Sequence, residues 1–229
     1  MNSLDLYARF EPLIPFTKEI GSLHGEFIAC LKRLGAKNAL DVGCGSGAFL
    51  ERLGSANIAA KGIDKSEAMI KLAASHGVAE CVDLADEKGF YDAVTAVFDV
   101  VNYLKSNELV GFFSAAFDRL NDRGSFLFDV NTLHGFEAVA QGDLALEKSA
   151  VFGTVRSKYV DEKLVSIFDL FTPNGDRYKR DHWEITQYFH TNRSLQEALK
   201  KAGFSTIKQL QFHLYSGEKA DKTIYIASR

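Results

Sequence analysis

Apolar runs alternate with helical patterns through the first two thirds of the chain. Short apolar segments such as residues 38–43 and 59–64 are typical of strands that are buried on both faces of a parallel sheet. Residues 66–77 follow the second of these segments with apolar residues at helical spacing, and Gly77 is expected to cap that helix. Further strands are predicted at 79–84, 91–101 and 125–130, further helices at 47–53 and 108–120, and a turn at 121–124. The alternation predicts an open α/β sheet with helices on both faces.

The pattern changes near Glu147. Three strand-like segments follow without helices between them, and Pro-Asn-Gly at 173–175 marks a tight turn, so we predict a small antiparallel insertion at 147–190. A helix at 194–203 and two final strands complete the chain, and their connecting loop is too short for a parallel crossover. We therefore expect one Rossmann-like domain formed by residues 1–146 and 191–229, with the insertion covering the substrate site.

Composition narrows the class of partner. The 229 residues are 46% apolar and carry a net charge of −3, without a basic run that would bind nucleic acid. Three scattered cysteines suit reduced thiols in the cytoplasm, and the histidines show no spacing for a metal site. The first residues lack the uninterrupted apolar region of a signal peptide, and no segment is apolar enough to span a membrane. We expect a cytoplasmic protein with a small-molecule partner, and we leave open whether it forms a homodimer.

Three glycines follow the first predicted strand at alternate positions, Gly43, Gly45 and Gly47. Glycine permits positive φ and lets a ligand approach the backbone, and the following helix offers free N–H groups. The spacing also fits the dinucleotide pattern in which Ala48 takes the last position. Asp41, two residues before the first glycine, would repel a pyrophosphate but suits an ammonium or sulfonium group. The residues therefore favour a cationic nucleoside over a dinucleotide.

Two more acids stand at the ends of predicted strands. Asp64, after the second strand, is placed to accept both hydroxyls of a ribose. Asp83, after the third, is placed to accept the exocyclic amine of an adenine, and Leu84 to cover the ring. The alternative is that each aspartate only caps the helix that follows it.

Several of these segments resemble motifs of the class I S-adenosylmethionine-dependent methyltransferases. LDVGCGSGAFLERL resembles their first motif, GIDKSEAMI their second, acidic motif, and FDVVNYL their fourth-strand motif. The resemblance covers about residues 36–130 and 194–228. It implies S-adenosylmethionine as cofactor and a seven-stranded sheet whose last strand is antiparallel. The cofactor-binding residues that it implies are Tyr7, Asp41, Gly43, Gly45, Gly47, Asp64, Lys65, Met69, Asp83, Leu84, Phe98, Asp99 and Tyr103.

The resemblance also implies methyl transfer to nitrogen or oxygen of a small molecule by in-line displacement. Asp99 is placed to orient or deprotonate the acceptor, and His134 is a candidate general base. His182 lies on a strand face that also carries Arg180 and Tyr188, opposite the face of Trp183, which is expected to pack on the core. Each has a plain alternative as a backbone contact or a solvated side chain. A cofactor-binding protein without catalysis and a nicotinamide-dependent oxidoreductase remain open as other functions.

Overall fold

The computed structural model describes residues 3–215 and 217–229, which form two sheets with helices packed around the larger one. The helices are α1 (Ser3–Phe10), α2 (Thr17–Leu34), α3 (Ala48–Ser55), α4 (Glu67–Ala73), α5 (Leu109–Asp118), α6 (Leu133–Val139) and α7 (Asn192–Lys201). The strands are β1 (Asn38–Val42), β2 (Ala59–Asp64), β3 (Val78–Cys81), β4 (Tyr91–Ala96), β5 (Leu120–Asn131), β6 (Asp143–Lys148), β7 (Val151–Val160), β8 (Lys163–Asn174), β9 (Arg177–Tyr188), β10 (Thr206–Phe212) and β11 (Lys222–Ser228). Single 3-10 turns lie at Glu11–Leu13, Leu84–Asp86 and Val100–Tyr103.

The larger sheet has the order β10-β11-β5-β4-β1-β2-β3. Strands β1 to β5 pair in parallel, while β11 pairs antiparallel with both β5 and β10. The predicted seven-stranded sheet with an antiparallel last strand is therefore confirmed. Its apolar strands are covered on both faces, by α2 and α3 on one side and by α5 and α7 on the other.

The smaller sheet is antiparallel and has the order β6-β7-β8-β9. Its first strand, β6, was not predicted, because its six residues carry charges at both ends and begin only three residues after a short helix. Trp183 is buried on one face, as expected, and stacks on Phe168. Phe189 contacts the ring of Phe136 in helix α6.

Several boundaries differ from the sequence prediction. Helix α4 ends at Ala73 and not at Gly77, because the residues beyond Ala73 are exposed and bury nothing against the sheet. Strand β4 ends at Ala96, since the backbone becomes left-handed two residues later. The predicted turn at 121–124 is a bulge inside β5, with pairing to β4 interrupted between Leu120 and Ser125.

No helix within residues 3–215 and 217–229 is long and apolar enough to cross a membrane.

Candidate active site

The glycine loop connects β1 to α3 with three left-handed residues. The φ angles of Gly43, Gly45 and Gly47 are 69°, 54° and 88°. A Cβ at Gly43 would lie 2.8 Å from a methyl group of Val100, and one at Gly47 would lie 2.9 Å from the Cα of Ala73. A Cβ at Gly45 would have no other residue's heavy atom within 4 Å. Packing therefore requires glycine at the outer two positions, while the middle one faces open space that a ligand can enter.

Two of the predicted carboxylates flank this loop. Asp41 is 2% exposed and accepts a hydrogen bond from the Thr95 hydroxyl at 2.8 Å. Burial raises the pKa of Asp41 to about 7. Asp64 accepts hydrogen bonds from the backbone N–H of Gly45 at 3.0 Å and of Ser66 at 2.8 Å. Burial also raises the pKa of Asp64, although these backbone donors oppose the shift. Asp64 therefore holds the glycine loop in place, and the carboxyl groups of Asp41 and Asp64 make this side of the crevice acidic.

An N-terminal strap, defined as residues 3–13, lies across the loop. The Glu11 carboxylate accepts a hydrogen bond from the Ser46 hydroxyl at 2.9 Å, and Asp5 accepts one from the Ser66 hydroxyl at 2.7 Å. Burial raises the pKa of Tyr7, and the charges of Glu11 and Asp99 raise it further. Tyr7 was predicted from resemblance, whereas the two acids of the strap were missed. Their signal in the sequence was weak, since both stand in an ordinary amphipathic helix pattern.

The charge of the crevice is uncompensated near the loop. Among the ion pairs of the described residues, none includes Glu11, Asp41 or Asp64. Glu11 and Asp41 both lie within electrostatic range of Asp64, whose charge raises the pKa of each after burial. Three carboxylates without a cation suit a positively charged ligand and disfavour a pyrophosphate.

The far end of the crevice carries Asp83 and Lys65. Lys65 Nζ lies 2.6 Å from Asp83 Oδ2, and Asp83 also caps the 3-10 turn after it by accepting from Ala85 N–H at 3.1 Å. Leu84 is 3% exposed and packs into the main core, so little of its side chain faces the crevice, and its contact with the adenine stays a prediction. Met69 is 5% exposed and likewise offers little surface to a ligand.

A second polar cluster lies where β4, β5 and β11 meet. Phe98 and Asp99 both have φ of 64°, a left-handed conformation that is costly for non-glycine residues. Asp129 accepts hydrogen bonds from both of their N–H groups, at 2.7 and 3.2 Å. Lys222 is 2% exposed and donates to Asp99, to Asp129 at 3.0 Å and to Asn131 at 2.9 Å. Burial raises the pKa of Asp129, and Lys222 opposes that rise.

Asn102 and Tyr103 follow this cluster in a 3-10 turn. Asn102 is fully buried, donates to the Tyr188 carbonyl at 2.9 Å and accepts from Asn131 N–H at 3.0 Å. It therefore joins the insertion to β5. Tyr103 is 39% exposed, and desolvation of its hydroxyl raises the pKa. The ring remains available to a ligand.

The two predicted histidines lie in different surroundings. His134 lies near the Lys222 cluster, because its Nε2 is 4.0 Å from Oδ1 of Asp221, the residue before Lys222. His182 Nδ1 lies 2.7 Å from Asp169, with which it is paired across β8 and β9. Since side chains alternate along a strand, His182 is on the sheet face opposite Trp183, and the strap packs on the Trp183 face. His182 therefore lies on the sheet face away from the strap, and its catalytic role stays a prediction.

Sheet order, glycine loop and acidic crevice together define a Rossmann-like methyltransferase fold. A sequence profile described as a methyltransferase domain matches residues 20–209. The chain belongs to this methyltransferase family. A protein of Geobacillus sp. (strain WCH70) that is classed by name as a methyltransferase is 34% identical over 202 residues, covering 77% of each chain.

Solved structures share the fold over nearly the whole chain. The sugar N-methyltransferase KedS8 from Streptoalloteichus sp. ATCC 53650 superposes with a TM-score of 0.74 at 18% identity, covering 100% of this chain and 93% of its own. CalS10 of Micromonospora echinaspora, an amino pentose methyltransferase solved with S-adenosylmethionine bound, has a TM-score of 0.71 at 17% identity, covering 100% and 98%. The family uses S-adenosylmethionine, and the carboxylates around Gly45 fit its positive charge. The nicotinamide-dependent alternative is not supported.

Proposed function

We propose that this methyltransferase acts on a small-molecule acceptor, at nitrogen or oxygen, and that an amine nitrogen is the favoured target. The supporting observation is the position of Asp99. Its carboxylate is held by Lys222, its side chain remains 18% exposed, and it stands in a left-handed turn at the carboxyl end of β4. A partly exposed, fixed carboxylate at that edge attracts an ammonium group and orients an N–H or O–H donor.

One end of the crevice binds the cofactor, and the other end binds the methyl acceptor. Bound S-adenosylmethionine supplies a methyl group that is activated by a positive sulfur. The glycine loop, Asp41 and Asp64 bind and orient it near β1 and β2. Asp99 accepts a hydrogen bond from the acceptor, which aligns the attacking atom. His134 lies at the same sheet edge and is placed to receive a proton, while Tyr7 and the strap exclude water.

Three further observations favour a small acceptor. The strap, which contacts the glycine loop, is fixed to the insertion sheet, because Arg9 pairs with Asp181 at 2.6 Å and the ring centroids of Phe10 and Phe168 are 5.1 Å apart. The net charge of −3 gives no general attraction for nucleic acid. KedS8 and CalS10 are named for amino-sugar or sugar N-methylation, which supports an amine.

The test is a matched acceptor screen. The protein is incubated with S-adenosylmethionine carrying a labelled methyl group and with pairs of compounds that differ only in an amine or a hydroxyl, such as glucosamine and glucose. We expect labelled product from amines, and a large loss of transfer in Asp99→Asn. Asp176→Asn, at the exposed tip of the β8–β9 turn, is the control and should retain full activity. Transfer only to protein or RNA, or to none of these acceptors, would contradict the proposal.

A further inference from the structure

Glu11 belongs to the N-terminal strap, which is not part of the cofactor-binding sheet, and its side chain reaches the glycine loop. It is the first residue of the 3-10 turn in the strap, and its carboxylate accepts the Ser46 hydroxyl of the glycine loop at 2.9 Å. Its backbone carbonyl accepts from Ile14 N–H at 2.9 Å, which closes the turn. Burial raises the pKa of Glu11, and the charge of Asp64 adds to the rise. The strap therefore brings a further carboxylate to a crevice that already holds two.

The strap is anchored at its other face to the insertion sheet. Arg9 pairs with Asp181 at 2.6 Å, and the Phe10 ring lies 5.1 Å from Phe168 and 6.0 Å from Trp183. Gly153 in β7 makes room for this packing, since a Cβ there would lie 2.6 Å from the Phe10 ring. These contacts between the strap and the insertion do not involve the crevice. A ligand in the crevice would therefore affect the other contact of the strap, the hydrogen bond between Glu11 and Ser46.

Charge opposes closure of the strap when no cation is present. The Glu11 carboxylate accepts from the Ser46 hydroxyl at 2.9 Å, and Asp64 accepts from the N–H of the adjacent Gly45 at 3.0 Å, so the strap brings one negative charge toward another. Among the described residues, neither carboxylate forms an ion pair. The nearby cations are engaged elsewhere, because Lys65 pairs with Asp83 and Lys222 with Asp99. A ligand with a positive centre would remove this repulsion, whereas a neutral ligand of the same shape would not.

We propose that Glu11 is a specificity-determining residue through which the strap distinguishes the charged cofactor from its neutral product. S-adenosylmethionine carries a positive sulfur, and S-adenosylhomocysteine carries a neutral thioether in nearly the same shape. Closure of the strap over the charged form is favoured, and the strap loosens over the neutral form, which promotes product release. This inference rests on the proposed function only for its cofactor and needs no knowledge of the acceptor.

Binding calorimetry tests the charge directly. Dissociation constants are measured for S-adenosylmethionine, S-adenosylhomocysteine and sinefungin, an unreactive analogue with an amine at the reacting position. In Glu11→Gln we expect the preference for both charged ligands over S-adenosylhomocysteine to fall about fivefold, the effect of losing one nearby screened charge. Ser46→Ala removes the hydrogen bond but keeps the charge, and it should retain the wild-type preference. Arg9→Gln loosens the anchor and should weaken the three ligands alike.

Hydrogen exchange gives an independent reading. At saturation, S-adenosylmethionine should protect the amides of residues 3–13 more than S-adenosylhomocysteine does, and the difference should disappear in Glu11→Gln. An unchanged preference in Glu11→Gln, or a Ser46→Ala variant that loses it equally, would overturn the inference while leaving the methyltransferase function intact. Failure of all three ligands to bind the wild type would overturn both.

Discussion

Replacing Asp41 with asparagine should change how the stability of the protein depends on pH. Burial raises the pKa of Asp41 from 3.8 to about 7. A carboxyl group with a raised folded-state pKa stabilises the fold fully below pH 4, and this contribution is lost as pH rises through 7. The shift of roughly three pKa units corresponds to a total of about 4 kcal/mol, of which about 2.5 kcal/mol is lost between pH 5 and 8. Asparagine keeps the shape of the side chain and does not ionise, so the variant lacks this loss.

The assay is urea unfolding of the cofactor-free protein at pH 5, 6, 7 and 8. The free energy of unfolding of Asp41→Asn, relative to wild type, should rise by about 2.5 kcal/mol across this range. Asp92→Asn is the control, and its free energy of unfolding relative to wild type should stay constant from pH 5 to 8. Asp92 accepts from Lys37 N–H, Asn38 N–H and the Asn121 amide, and these bonds lower its pKa. Its contribution is present at neutral pH and is lost in acid. Parallel pH curves for wild type and Asp41→Asn would refute the reasoning.

Two further variants test the other polar clusters. Lys222→Met should lower the free energy of unfolding by roughly 3–5 kcal/mol, because it leaves Asp99 and Asp129 without the buried ammonium that both contact. Lys222→Arg keeps a positive charge and should lower it less. Equal stability of Lys222→Met and wild type in urea unfolding would contradict this role. His182→Gln should leave methyl transfer and the dissociation constant for S-adenosylmethionine unchanged, since His182 lies on the face of the insertion sheet opposite the strap. A large loss of activity or affinity would instead show that His182 contributes to the site.

Much of the fold follows from local pattern. Strand β2 has the predicted boundaries, Ala59–Asp64, and β1 ends one residue before the predicted end, at Val42, since continuous apolar runs between glycine and helix signals have few other structures. The glycine loop was equally predictable, because three left-handed positions select glycine strongly. The bulge at 121–124 was not, because its turn-like residues are held within a strand by pairing of the residues on either side, Leu120 with β4 and Ser125 with both β4 and β11.

The acceptor end of the site depends on contacts that sequence spacing does not reveal. Lys222 is the first residue of an apolar strand, and nothing in its sequence position indicates a role in the site. Pairing with Asn131 nevertheless brings its side chain into contact with Asp99, 123 positions away. Alternation along β9 correctly grouped His182 apart from Trp183, but it does not say which face meets the strap. Glu11 enters the crevice only because α1 folds back over the glycine loop.

Calorimetric titration with S-adenosylmethionine, S-adenosylhomocysteine and NAD tests the central claim most directly, which is that the acidic crevice around Gly45 is the cofactor site. We expect the first two ligands to bind and NAD not to bind. Asp64→Ala should weaken both adenosyl ligands by about 1.5–3 kcal/mol, the usual value of hydrogen bonds to a charged group. Binding of NAD without S-adenosylmethionine, or adenosyl binding that Asp64→Ala leaves unchanged, would contradict the account.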